Sequence, residues 1–389
     1  MASLRSARGD AVKPVHSSRL ERWLGAENVR NLSNAMRGFH GDRPIATSGI
    51  PGRVYVANDG DFYGDLRAGW EMSASDRLWD YALRLRRAMR RMSARQGVIA
   101  YSGFASLSEL LSEAKYNGKA VALPFNKQSV VGQAATNTYS MWRLPASPMA
   151  ATAAPASAPN GTAFTKSDIA SYGSMHPDAI SGDTQHLIGA RITSSGTTGT
   201  LLMYDRLFGV AKTMNSSASE TVTGVPTRYQ STSSTAADYA GNNFMFVETR
   251  ATLPNTVHDW GGCRYTNEAG DTLRSFLLTD GVQSCPQHKL DMSSPWWFTK
   301  LTSPDTGVKA IERLQTDTPV ASGAVDFVIG HPLAWMPCPI ANIACNLDFL
   351  VTSVNTVRIF DGAVLAWLEI VRPNTTAATY SGMIYLASS

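Results

Sequence analysis

From about residue 185 to its end, this chain is broken into short runs of Val, Ile, Thr, Phe and Tyr, separated by clusters of Gly, Asn, Asp and Pro. No other feature limits the fold as much. β-Branched and aromatic side chains fit a pleated, half-buried surface, and the residues between the runs supply turns. The runs predicted as strands cover 186–193, 200–207, 243–250, 257–266, 272–278, 308–316, 324–330, 354–360, 364–371 and 379–386. Phe244 and Phe246, and again Val325, Phe327 and Ile329, recur at every second position, the spacing of a sheet with one buried face. Residues 267–270, Asn-Glu-Ala-Gly, read as a hairpin loop, and the Gly/Thr stretch 195–199 as a hairpin tip. Many short strands with little helix between them predict an antiparallel β-sandwich, jelly-roll-like in character.

The first part of the chain follows a different pattern. Residues 1–16 are polar and basic and read as a flexible arm. Ser18 and Glu21 form a capping box, which predicts a helix through Leu20, Leu24, Val29, Leu32 and Met36, stopped at Gly38. A short strand is expected at 53–57. The strongest helix spans 73–96, where Leu78, Ala82, Leu85, Met89 and Met92 fall on one apolar stripe. Ser106 and Glu109 open a third, short helix that closes near Gly118. Residues 145–163 then contain four prolines and eight alanines with no charge, a composition that forbids helix and builds no core. The expected plan is therefore α+β: an arm at 1–16, a mainly helical region at 17–144, an extended Ala/Pro linker at 145–163, and a large β-sandwich at 164–389.

Charge separates the same two parts. Residues 1–100 hold 17 Lys+Arg against 10 Asp+Glu, while residues 101–389 hold 18 against 21. At 17% charged residues overall, the surface is poorer in charge than that of an average soluble domain, at about 25%. Charge keeps free monomers apart, so its scarcity fits a chain packed among copies of itself. It also fits a plain Ser/Thr-rich β-protein. Four cysteines, at 263, 285, 338 and 345, are too few for a disulfide framework and include no CxxC pair. No run approaches 18 apolar residues, so no membrane helix is expected, and the polar N-terminus does not read as a secretory signal. The expectation is a soluble protein made in the cytosol.

Motifs that carry chemistry are scarce. There is no GxSxG, GxxxxGK[ST] or GxGxxG, and the seven histidines include no HExxH and no pair at i, i+4. No metal and no cofactor is expected. Asp59 and Asp61 resemble the opening of a calcium loop but lack its closing glutamate, and a solvated turn accounts for them better. His258 and Asp259 beside Trp260 lack a partner nucleophile, and His331 reads as a hydrogen-bonded structural residue. Glu248, Glu312 and Glu369 are the strand glutamates that could line a glycosidase cleft, which needs two carboxylates together. Two features have reach beyond the core. Arg84, Arg87, Arg91 and Arg95 lie along one face of the 73–96 helix, where they could neutralise phosphates, pair with acidic groups of a neighbouring subunit, or face solvent. Trp296, Trp297 and Trp335 sit in proline-flanked segments and are candidate interface aromatics, whereas Trp367, inside a strand, reads as core.

The order of parts, a basic helical segment, an uncharged Ala/Pro stretch and a Ser/Thr/Gly-rich β-region, resembles virion proteins of tailed bacteriophages. So do the stretches 201–207, LLMYDRL, 357–365, VRIFDGAVL, and 375–384, TTAATYSGMI. The resemblance covers mainly residues 100–389 and is one of texture. It implies a non-enzymatic capsid component, major or decorating, that forms homo-oligomers and meets other virion proteins, with packaged DNA as a candidate contact and no membrane partner. Its place would be the virion, after synthesis in the host cytoplasm. The 73–96 helix would then correspond to the spine helix of such capsid proteins. A tail fibre or receptor-binding protein, and a carbohydrate-active enzyme on a sandwich, are the competing classes.

Overall fold

A computed structural model of the chain describes residues 54–56, 62–64, 104, 107–130, 137–166, 173–177, 184–196, 199–277, 281, 284–292, 297–348, 357–370 and 377–389. The chain divides into two compact units, Met1–Arg95 and Gln96–Ser389. In the first unit, β1 (Val54–Val56) pairs antiparallel with β2 (Phe62–Gly64), within the strand expected at 53–57. The arm at 1–16, the helices expected at 20–36 and 73–96, and Asp59 and Asp61 lie outside the described residues.

In the second unit α1 (Leu107–Lys115) is the short helix announced by its capping sequence. Glu109 stands in its first turn, where a carboxylate meets the positive end of the helix dipole. Gly118, with φ of 71°, ends the turn that follows in the left-handed conformation glycine adopts without a Cβ clash. Leu110 packs against Phe104 and Ala387. The chain then turns into strand, inside the region expected to be mainly helical. In β3 (Ala120–Gln128), exposed Ala122, Pro124 and Asn126 alternate with the more buried Leu123, Phe125 and Lys127. The period of two was present in the sequence, but small Ala and Pro on its outer face masked the contrast in polarity.

The core is organised by one long antiparallel sheet. Its strands run in the order β10 (Phe244–Ala251), β14 (Ala324–Cys338), β8 (Gly199–Thr213), β17 (Leu365–Ile370), β4 (Tyr139–Ser140), and β6 (Thr162–Ala163) pairs with β8 off this path. β8 and β14, 15 residues each, pair along their whole length, with register shifts between Ile329 and Gly330 and between Pro332 and Ala334. The expected end of β14 at Gly330 is thus corrected: the strand continues through Pro332 and Pro337. It can do so because β10 starts opposite Gly330, so beyond that point β14 is paired on the β8 side alone among the described residues. A strand edge tolerates residues that lack an N–H.

Residues directly opposite one another in neighbouring strands share a face. The first register shift leaves Leu207 unpaired, so Leu201 and Met203 before it share a face with Phe208 and Val210 after it. Two further sheets cover successive ends of that face. One has the order β15 (Cys345–Asp348), β7 (Gln185–Ser194), β18 (Thr379–Ser388), β3, β5 (Ala146–Ser147), with β16 (Val357–Ile359) beside β7. Its Leu187, Ile192, Ile384 and Leu386 pack on Leu201, Met203, Met336 and Trp367. The other has the order β12 (Arg274–Ser275), β11 (Arg264–Asn267), β13 (Val308–Leu314), β9 (Glu220–Thr221), and it lays Tyr265, Ile311 and Leu314 on Val210, Val247 and Phe327. The sandwich read from the sequence is therefore two sandwiches that share a sheet.

Two local readings change as a consequence. The hairpin expected around 195–199 is not formed, because β7 and β8 belong to different sheets. Residues 257–263 are loop, since His258 and Trp260 turn inward to a polar partner instead of alternating along a strand. The hairpin at 267–270 stands, with Gly270 at φ of 94° between the paired β11 and β12.

Candidate interface residues and buried charge clusters

The second face of the shared sheet is covered by loops. The Ala/Pro stretch runs along it and along its edge: Ala151 packs in the apolar layer with Trp142 and Phe164, β6 adds to β8, and the Ala211 N–H donates to the carbonyl of Ala156. Beneath this strap lies a closed charge cluster. Glu248 and Asp326 are directly opposite one another on β10 and β14, both buried. Arg206 donates two bonds to Glu248, at 2.7 and 3.1 Å, and its guanidinium lies over the rings of Trp142 (4.2 Å) and Phe164 (4.8 Å). Arg143 and Arg250 hold the two oxygens of Asp326, at 3.1 and 2.9 Å. The sequence placed Glu248 among candidate cleft carboxylates without its partner. Asp326 is that partner, and the pair is saturated by three arginines. Glu312 accepts bonds from the Thr266 hydroxyl and the Leu273 N–H, and buried Glu369 accepts one from Tyr380, so the three glutamates serve separate sites.

Between the two cores, buried Asp205 takes a bidentate bond from Arg228 (2.6 and 2.8 Å) and a third from the Val364 N–H. Opposite Asp205 on β14 stands His331, stacked at 3.7 Å on Tyr229, its Nδ1 2.8 Å from the side-chain oxygen of Asn243. Burial lowers its pKa to about 3, against about 6.5 in an unfolded chain. A histidine held neutral in this way supports the fold above about pH 6.5 and withdraws that support as pH falls toward about 3. Replacing His331 with Gln should therefore flatten the acid limb of melting temperature against pH in that window. A variant curve parallel to the wild type would show that another group sets the limb.

His258 has the opposite sign. Its Nε2 lies 2.8 Å from Asp291, which also accepts a bond from Trp260 Nε1 at 3.0 Å. Desolvation pulls its pKa down, but the bond to Asp291 and the charge of that carboxylate outweigh it and the net shift is upward. The pair contributes below about pH 6.5 and its contribution is lost as pH rises through the raised value. Asp259, the neighbour singled out in the sequence, is not the partner. Lys127 is another buried ion that the sequence did not mark. Its ammonium donates to the carbonyls of Leu144 (2.7 Å) and Met149 (3.4 Å), and burial lowers its pKa to about 8. The four cysteines are free, and burial pushes the thiols of Cys263, Cys285 and Cys338 up to about 12, far from nucleophilic. Among the described residues, no group of three His, Cys, Asp or Glu is placed to hold a metal ion.

Two of the candidate interface aromatics come together. Trp335, on the singly paired half of β14, is 49% exposed and lies 6.0 Å from Trp297. Trp297 in turn meets Phe298 at 4.6 Å and the buried Phe244 at 5.1 Å, so the cluster is rooted in the core and opens at the surface. Trp296, and Arg84, Arg87, Arg91 and Arg95, lie outside the described residues. Trp367 is buried, stacked on Phe125 at 5.2 Å.

No family model and no curated protein matches the chain. Among solved structures, a chain from the structure of infectious bursal disease virus, Gx strain, aligns over 69% of this chain and 80% of its own length at 10% identity. The TM-score of that alignment is 0.15, too low to bear on fold or function.

Proposed function

We propose that this chain is a non-enzymatic structural protein of a virion, a capsid component of a tailed bacteriophage, either the major or a decorating subunit. It assembles through contacts with its own copies and with other virion proteins, and reaches the virion from the host cytoplasm. The observation that supports this most is the closure of the Glu248–Asp326 pair. A glycosidase needs two carboxylates facing a substrate. Here the two that meet are paired with Arg206, Arg143 and Arg250, and the Arg206 guanidinium is itself covered by Trp142 and Phe164, which makes them a brace between strands. The low overall charge and the surface-opening Trp297–Trp335 cluster fit a chain whose work is contact. In this reading the arginine stripe at Arg84, Arg87, Arg91 and Arg95 meets packaged DNA or a neighbouring subunit. No helix among the described residues is long and apolar enough to cross a membrane. Electron microscopy of the purified chain tests the proposal: ordered assemblies are expected, and a dispersed monomer would oppose it.

A further inference from the structure

The sheet β12–β11–β13–β9 lays Tyr265 and Leu314 on its core, and their chain neighbours Arg264 and Arg313 lie half-buried on its outward side. One outward row crosses all four strands. Ser275 stands opposite Arg264, Arg264 opposite Arg313, and Arg313 opposite Thr221. Both arginines bend onto one short loop. Arg313 donates through Nε to the carbonyl of Gly262 at 2.9 Å, and Arg264 through Nη1 to that of Cys263 at 2.8 Å. Their guanidinia are thereby held close together, although like charges directly opposite one another oppose strand pairing. Nη1 and Nη2 of Arg313, and Nε and Nη2 of Arg264, carry no hydrogen bond among the described residues. Neither arginine has a carboxylate at ion-pair distance among those residues. Glu312 is taken by the Thr266 hydroxyl and the Leu273 N–H, Glu220 by Lys212, and exposed Asp317, beside Gly261, pairs with neither arginine.

We infer that this row is a binding site for a dianionic tetrahedral oxyanion, a phosphate or sulfate group held between Arg264 and Arg313. Charge is the first reason: two adjacent cations lack a counter-charge, and one dianion neutralises both. Donor number is the second. A single arginine fork already satisfies the two oxygens of a carboxylate. Two forks, with the Ser275 and Thr221 hydroxyls on the strands either side, offer more donors than a carboxylate accepts. A terminal phosphate presents three strong acceptor oxygens and nearly two negative charges. The phosphodiester of a nucleic acid has one charge and two free oxygens, so it matches less well. Half-burial of both arginines is the third, since charges partly withdrawn from water are less screened by salt. The site goes beyond the proposed virion role and does not depend on it.

The test is isothermal titration of the full chain with inorganic phosphate at about pH 8, where phosphate is dianionic, against chloride at matched ionic strength. A single saturable phosphate site is expected, with sulfate binding comparably and acetate and dimethyl phosphate about tenfold more weakly or less. Arg264→Gln and, separately, Arg313→Gln should each weaken phosphate binding by about tenfold or more, the loss of a charge-assisted bond. Circular dichroism checks that both variants fold. Glycerol phosphate distinguishes the sources of the group. Binding as tight as that of phosphate assigns the site to the terminal phosphate of a larger ligand, and its exclusion assigns the site to the free ion. Phosphate that binds no better than chloride, or equally well to both variants, overturns the inference. Acetate that binds as tightly as phosphate also overturns it, and would make the row a carboxylate contact.

Discussion

Replacing Arg206 with methionine is expected to destabilise the protein by about 3–5 kcal/mol, the range for removing one partner of a buried ion pair. Arg206 is fully buried, bonded through both terminal nitrogens to Glu248, and sandwiched against Trp142 and Phe164. Without it, Glu248 and Asp326 face each other across neighbouring strands as buried carboxylates, compensated by the arginines on Asp326 and a hydrogen bond from Ser140 to Glu248. The cost should come mainly from stranding those charges, since the methionine keeps much of the apolar contact. The double variant Arg206→Met, Glu248→Leu should accordingly recover most of the loss, because an apolar pair of similar volume often replaces a buried ion pair at little cost. Urea unfolding of the three proteins measures both effects. A single variant within 1 kcal/mol of wild type would mean that water reaches the cluster and the brace is open.

The second large effect concerns the sharing of one sheet by two cores. Trp260 belongs to the core under β11 and β13, and Trp367 to the core under β7 and β18. Either tryptophan cut to alanine should cost about 3–5 kcal/mol. β8 and β14 run unbroken beneath both cores, so neither sandwich can unfold and leave the other's strands intact. Both variants should lower the same cooperative transition, with fluorescence and circular dichroism tracing coincident curves. Two separable transitions, each moved by one substitution only, would show that the sandwiches fold independently despite the shared strands.

Several strands could be read from the sequence because their polarity contrast is strong. β7, β10, β13, β17 and β18 lie where alternating or continuous Val, Ile, Phe and Leu runs put them. α1 was visible through Ser106, Glu109 and Gly118, which are local signals. What could not be read depends on neighbours distant in the chain. β14 continues past its prolines only because β10 does not extend alongside that half, a fact of sheet order and not of local propensity. The closed cluster joins Arg143, Arg206, Glu248, Arg250 and Asp326, which span 183 residues of separation, and no spacing rule connects them. His258 found Asp291 and not the adjacent Asp259 for the same reason. Trp297 and Trp335 were singled out by their proline-flanked segments, but their meeting required the fold.

The proposed role requires the chain to pack against other chains. Negative-stain electron microscopy of the purified chain at micromolar concentration is the decisive measurement. Rings, sheets or closed shells built from a repeating subunit of 41.9 kDa are expected. A field of uniform, separate monomers that stay so as concentration rises would contradict it.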